Sequence, residues 1–156
     1  MARIESSIIV RQALDEVFAF LNAAENHARF IPNMAEFRPT SPGAFGNVGT
    51  TAQGLLSYFG LVKIKVKYKI IKYEPNHRLA MKGQMGPLLF KDGYILKKGG
   101  DGTEIKFWLD LRPTGRAKVF SPFMWLVGKI HAWETLRNLK RELAKKEIAS
   151  SSRSLH

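Results

Sequence analysis

Between Val62 and Ile70 every second residue is a lysine: Val62, Ile64, Val66, Tyr68 and Ile70 interleave with Lys63, Lys65, Lys67 and Lys69. Successive side chains of an extended strand point to opposite sides, so one face takes the whole apolar set and the other takes the four lysines. A helix would scatter both sets around its axis. The run therefore predicts a strand whose apolar face is covered by protein or ligand. Its lysine face must meet water or anions.

The flanking pattern supplies partners for that strand. A first strand is expected over Ile4–Val10, followed by a helix in which Leu14, Val17, Phe18 and Leu21 recur at helical spacing, with Asp15 and Glu16 in its first turn. A second short helix is expected over Glu25–Ile31, ending before Pro32 because a residue preceding proline resists the helical region. From Ala35 to Arg112 strands alternate with turn signals such as Ser41-Pro42-Gly43, Phe59-Gly60, Glu74-Pro75-Asn76, Gly86-Pro87 and Gly99-Gly100-Asp101-Gly102. Connections this short suit antiparallel hairpins rather than parallel crossovers.

After Pro113 the chain turns helical, with Ser121-Pro122 as N-cap and first helical position. Phe123, Leu126, Val127, Ile130, Trp133, Leu136, Leu139 and Leu143 are expected to form its core stripe, and the helix to run to about Lys146. The expected fold class is α+β: a seven-stranded curved antiparallel sheet wrapped around a long C-terminal helix, with two short helices after strand 1. One domain is expected over 1–147, with a polar, unstructured tail over 148–156.

At 156 residues and 45% hydrophobic content the chain is large enough for one core with a cavity. It has no cysteine, which excludes disulfides and thiolate chemistry. The opening MARIESSIIV is too short and polar for a signal peptide, and no apolar run reaches the roughly 20 residues that span a bilayer. A cytoplasmic location is expected, peripheral to the inner face of the membrane in one reading. A net charge of +12 favours anionic partners: membrane surfaces, ribosomes or RNA.

The order of elements, with particular residues, resembles the START-like superfamily, also known as the helix-grip or polyketide cyclase and lipid-transport superfamily. The residues that carry it are Ile4-Glu5-x-Ser7, Leu14 to Leu21, Val48-Gly49-Thr50, Ile71-x-Tyr73-Glu74-Pro75-x-x-Arg78-Leu79, Gly100-x-Gly102-Thr103-x-Ile105 and Leu136-x-x-Leu139-Lys140-x-x-Leu143. Gly83-x-Met85-Gly86-Pro87 and the lysine strand resemble the carbon-monoxide dehydrogenase accessory branch, and the quinone-binding branch is similar. These are structural motifs. What the resemblance implies is a fold and a pocket for a hydrophobic small molecule such as a quinone, lipid or polyketide, not a particular reaction.

No catalytic signature accompanies it: there is no G-x-S-x-G, P-loop or H-E-x-x-H motif. His27, His77 and His131 are far apart with no carboxylate at ligand spacing, so neither a metal nor a cofactor is expected. Val66, Tyr68, Met81, Tyr94, Phe107, Leu109, Ile130 and Trp133 are the expected pocket wall. Asp92 and His131 are weak catalytic candidates for a cyclase or dehydratase. Asp92 would be buried with a raised pKa only if the parity of Phe90, Tyr94 and Leu96 faces inward; otherwise Lys91 and Gly93 do. Phe120 and Trp125, beside Lys63, Lys65, Lys67 and Lys69, are candidates for an anionic membrane surface, with homodimer packing as the alternative use of the Phe120–Val127 segment. The lysine face with Trp108 is the corresponding candidate for ribosome or RNA contact.

Overall fold

The structure, a computed structural model, describes residues 2–43 and 45–154. Along the chain these form β1 (Ala2–Val10), α1 (Leu14–Leu21), α2 (Ala24–Phe30), β2 (Met34–Pro39), β3 (Thr51–Tyr58), β4 (Val62–Glu74), β5 (Arg78–Met85), β6 (Leu88–Gly99) and β7 (Gly102–Pro113). A 3-10 turn over Gly115–Phe120 leads into α3 (Ser121–Ser154). The strands make one curved antiparallel sheet of seven, in the order β1-β7-β6-β5-β4-β3-β2. All neighbours except β1 and β7 are hairpin partners, so the long-range step is the pairing of the first strand with the last.

The lysine strand behaves as its alternation requires. Val66, Tyr68 and Ile70 are buried and Lys63, Lys65, Lys67 and Lys69 are exposed, but the apolar face is not covered at the start of the strand, where Ile64 is partly buried and Val62 is exposed. On β7 the inward set is Thr103, Ile105, Phe107 and Leu109. α1 buries Val17, Phe18, Phe20 and Leu21, and α2 stops at Phe30 because Ile31, just before Pro32, is extended (φ −70°, ψ 123°).

Two expectations about α3 change. Leu136, Leu139 and Leu143 face the core, but Phe123, Leu126, Val127, Ile130 and Trp133 are exposed. Counting back from Leu136 in steps of three drifts the direction by about 60° per step, at roughly 100° per residue. Five such residues therefore wander around the axis instead of lining one face. The face that continues the leucines runs through Ala132 and Gly128, both buried. These small residues are required by a close approach: a Cβ on Gly128 would lie 2.1 Å from Ile4 Cδ1 and 3.1 Å from Leu111 Cδ1. Ile130 and Trp133 thus do not lie between sheet and helix. In addition, α3 continues to Ser154, through most of the 148–156 stretch expected to be unstructured.

The far end of α3 is knitted to the start of β7. Thr103, fully buried, donates from Oγ1 to the Gln12 carbonyl at 2.8 Å, and Gln12 Nε2 donates to the Leu143 carbonyl and to Glu147 Oε2 at 3.3 and 2.8 Å. Beside it Gly102 admits no side chain, since a Cβ there would meet the Val10 carbonyl oxygen at 1.9 Å.

Gly102→Ala is expected to destabilise the fold by about 2 kcal/mol or more, because backbone rather than a flexible side chain must give way. Leu139→Ala should cost about 2–5 kcal/mol and Trp133→Ala under about 1 kcal/mol. Urea unfolding of the three variants checks both statements; a larger loss at Trp133 than at Leu139 would contradict the observed helix rotation.

Candidate functional site

The inner face of the sheet is largely apolar but carries one buried carboxyl. β6 presents Leu88, Phe90, Asp92, Tyr94 and Leu96 inward, which brings the Asp92 carboxyl directly opposite Met81 on β5 and Leu109 on β7. The alternative parity, with Lys91 inward, is excluded: Lys91 is exposed. Asp92 is 8% exposed, and its Oδ1 has no hydrogen-bond partner among the described residues. Burial alone pushes its pKa from 3.8 up to about 7. Tyr68 and Tyr94 lie on the same inner face, and burial followed by the Asp92 charge raises both phenols well above their ordinary value. Their rings continue into an aromatic layer: Tyr68 meets Phe37 at 5.1 Å and Phe90 at 5.6 Å, and Tyr94 meets Phe107 at 5.2 Å and Phe30 at 6.2 Å.

Of the eight expected wall residues, Val66, Tyr68, Met81, Tyr94, Phe107 and Leu109 are buried on this inner face. Ile130 and Trp133 are not: both point to solvent, and Trp133 carries the Arg137 guanidinium over its ring at 4.4 Å. The inward helix residue is instead His131, whose ring stands 6.3 Å from Phe107. It keeps some surface in contact with water, yet desolvation lowers its pKa to about 4, so it is neutral at pH 7. No hydrogen bond or ion pair joins it to Asp92 among the described residues.

Another histidine is buried at a position that nothing in the sequence spacing marks. His27 is fully buried and stacked on Phe37 at 4.7 Å, with Phe45 edge-on at 5.3 Å. Its Nε2–H donates to the Leu21 carbonyl at 2.6 Å, which leaves Nδ1 as an unpartnered acceptor. Desolvation holds its pKa near 4. Among the described residues no cluster of three or more His, Cys, Asp or Glu could hold a metal ion.

Outside this interior the other candidates separate. Phe120 and Trp125 are exposed, and Lys129 Nζ sits 4.2 Å from the Trp125 ring centre. The β3–β4 turn adds Phe59, 95% exposed, and Leu61. Trp108 does lie on the outer face, but it covers Gly93 and carries the Arg3 guanidinium at 4.6 Å, so its ring is already stacked. No helix among the described residues is long and apolar enough to cross a membrane.

The pH dependence of stability follows from these groups. Between about pH 4 and 7 the folded chain holds a proton at Asp92 that the unfolded chain has released. Stability therefore falls as pH rises through that window, and the penalty is complete above about pH 7. His27 acts oppositely: its folded pKa near 4 lies below 6.5, so stability is lost as pH falls from about 6.5 toward 4. Asp92→Asn removes the first effect only. It should be more stable than wild type at pH 8 by up to about 4 kcal/mol, with the gain vanishing near pH 4. Denaturation at the two pH values checks this, and an equal effect at both would contradict the buried carboxyl.

Residues 1–144 match the profile of a family described as polyketide cyclase / dehydrase and lipid transport. No curated protein matches the chain. Among solved structures, the protein TTHA0849 of Thermus thermophilus superposes with a TM-score of 0.74 at 9% identity, covering 93% of this chain and 99% of its own. A conserved protein of Geobacillus kaustophilus gives 0.72 at 15% identity, over 92% and 96%. The di-domain aromatase/cyclase StfQ of the steffimycin biosynthetic pathway gives 0.73 at 11% identity, over 93% of this chain and 51% of StfQ. Identities this low carry the fold alone. With the family profile spanning nearly its whole length, the chain belongs to the polyketide cyclase / dehydrase and lipid transport family and has its helix-grip fold.

Proposed function

We propose that the chain binds a hydrophobic small molecule of the quinone, lipid or polyketide kind between the sheet and α3. The observation that carries this reading is the Asp92 carboxyl, buried on the sheet's inner face with its Oδ1 short of a hydrogen-bond partner among the described residues. A buried polar group left unpaired costs free energy, and a ligand hydroxyl or carbonyl is the partner it lacks. Near pH 7 Asp92 can donate as an acid or accept as a carboxylate. Tyr68 and Tyr94, kept protonated, add orienting contacts. Affinity would come mainly from apolar burial, at about 25 cal/mol per Å² before the costs of association. Met81, on the strand opposite Asp92, is the adaptable part of the wall.

The approach of such a ligand has a natural side. The β3–β4 turn, the β5–β6 turn and the connection from β7 to α3 all lie at one end of the sheet. That end carries exposed Phe59, Leu61, Phe120, Phe123 and Trp125. Phe59 also has φ of 56°, a conformation costly for a bulky residue and unrewarded by any burial here. An anionic membrane, drawn by Lys63 and Lys65 on the adjoining strand, would supply both the apolar contact and the ligand.

A second reading has its own observation. A carboxyl with a pKa near 7 beside an apolar wall is suited to moving protons on a carbonyl substrate, as a cyclase or dehydratase requires. In that case the pH–rate profile should break near 7 and Asp92→Asn should lose activity while still binding.

Native mass spectrometry of protein purified from its source should show a retained apolar molecule. A quinone, a fatty acid and an aromatic polyketide offered to the stripped protein should bind about tenfold more weakly to Asp92→Asn where the polar contact matters, since about 1.4 kcal/mol is one such bond. Retention of nothing, together with no binding of all three probes, would overturn the reading. Flotation with anionic vesicles at low salt should be lost in Phe59→Ser/Phe120→Ser, and flotation that survives those changes would remove the proposed docking end.

A further inference from the structure

The outer face of the sheet, on the side away from Asp92, holds a groove of about 670 Å³. Its floor breaks a rule that sheets normally keep. Lys69 on β4 stands directly opposite Lys82 on β5, and Lys82 directly opposite Lys91 on β6. Three like charges thus line up across three strands spaced about 4.8 Å apart, an arrangement that destabilises a sheet. Lys67, two residues along β4, and Arg112 on β7 close the groove with two more cations.

No ion pair among the described residues answers this charge, although Asp110 on β7 stands opposite Lys91. Lys67, Lys69, Lys82, Lys91 and Arg112 take part in no ion pair among the described residues. The one carboxylate lining the groove, Asp110, is held by Arg3 through two bonds, Nε to Oδ1 and Nη2 to Oδ2, each 3.1 Å. Neighbouring parts of the same face are neutralised in contrast: Lys72 pairs with Glu74, Lys97 with Glu104 and Lys106 with Glu5. The groove thus gathers five unpaired cations in one hollow, while Lys63 and Lys65, further along the β4 stripe, are unpaired but lie outside it. Neutral groups complete the lining, with Gln53 and Gln84 on the Lys67 row, Thr51 on the Lys69 row, and half-exposed Leu89 as an apolar wall.

We propose that this groove is a binding site for a compact polyanion carrying two or more phosphate groups. Its volume is in the range of small-molecule sites, and converging lysines with a few amide and hydroxyl donors are the chemistry that clustered phosphates need. The convergence of five cations on one hollow favours a compact ligand over a long polymer laid along the sheet. Lys63 and Lys65 extend the β4 stripe beyond the groove and do not line it. They are the internal control.

The test is titration calorimetry with inorganic tripolyphosphate and with ATP, at low and high salt. Wild type should bind tripolyphosphate at low salt, and high salt should weaken it, since the attraction is electrostatic. Lys82→Ala/Lys91→Ala should weaken binding about tenfold or more, whereas Lys63→Ala/Lys65→Ala should stay within about twofold. Tighter binding of ATP than of tripolyphosphate would assign the organic body to the Leu89 wall; equal binding would assign the phosphates alone. Absence of tripolyphosphate and ATP binding at low salt would overturn the proposal. So would equal losses in the two double variants, or a single-stranded RNA that binds more tightly than ATP and depends on Lys63 and Lys65. All four lysines are exposed, so the variants are expected to fold, and thermal unfolding checks it.

Discussion

The seating of α3 on β1 and β7 is the constraint from which the rest of the molecule follows. At Gly128 the helix backbone comes so near Ile4 and Leu111 that even a methyl group would collide. That approach fixes which side of the helix is inside. Ala132, Leu136, Leu139 and Leu143 then fall on the core, His131 turns over Phe107, and the bulky residues at 123, 126, 127, 130 and 133 are forced out. A helix held off the sheet by larger side chains would present another face. Both the interior wall and the apolar rim at one end thus depend on two small residues.

Inside, the fold buries a carboxyl and an imidazole, those of Asp92 and His27. Asp92 and His27 each keep a buried atom without a partner, and each has its pKa displaced in the direction that keeps it neutral. Removing charge is the usual response of a titratable group to an apolar setting. The two differ in what surrounds them. His27 is enclosed by Phe30, Phe37 and Phe45 and anchored to Leu21, the environment of a packing residue. Asp92 has Met81 and Leu109 opposite it and two phenols on its face, with no comparable anchor for its Oδ1 among the described residues.

The family and its fold tolerate this variety. Structures at 9–15% identity superpose over more than nine-tenths of the chain, which means that very different side chains satisfy the same sheet and helix. What such relatives share is the order of strands and turns, while the chemistry resides in the residues set upon them. The lysine row of the outer groove and the Asp92 interior are features of this chain's own side chains. They occupy opposite faces of the same strands, so period-two alternation supplies both without conflict.

The order of elements, the antiparallel hairpins, the inward set of β4 and the solvent exposure of its four lysines were legible in the sequence. Each depends on local periodicity and turn chemistry, which act over a few residues. The parity of β6 was not, because Phe90, Asp92, Tyr94 and Leu96 alternate with Lys91, Gly93 and Ile95, and either set could have faced inward. Pairing with β5 and β7 decided it, since Met81 and Leu109 already face the core and a residue directly opposite must share their side. The rotation of α3 was likewise beyond a count of apolar residues. Its large side chains step by three and drift around the axis, whereas the packed face is chosen by where the backbone can come close. The burial of His27 and the facing lysines 69, 82 and 91 also needed the assembled sheet. Sequence spacing says which side of a strand a residue takes, and only strand register says what stands across from it.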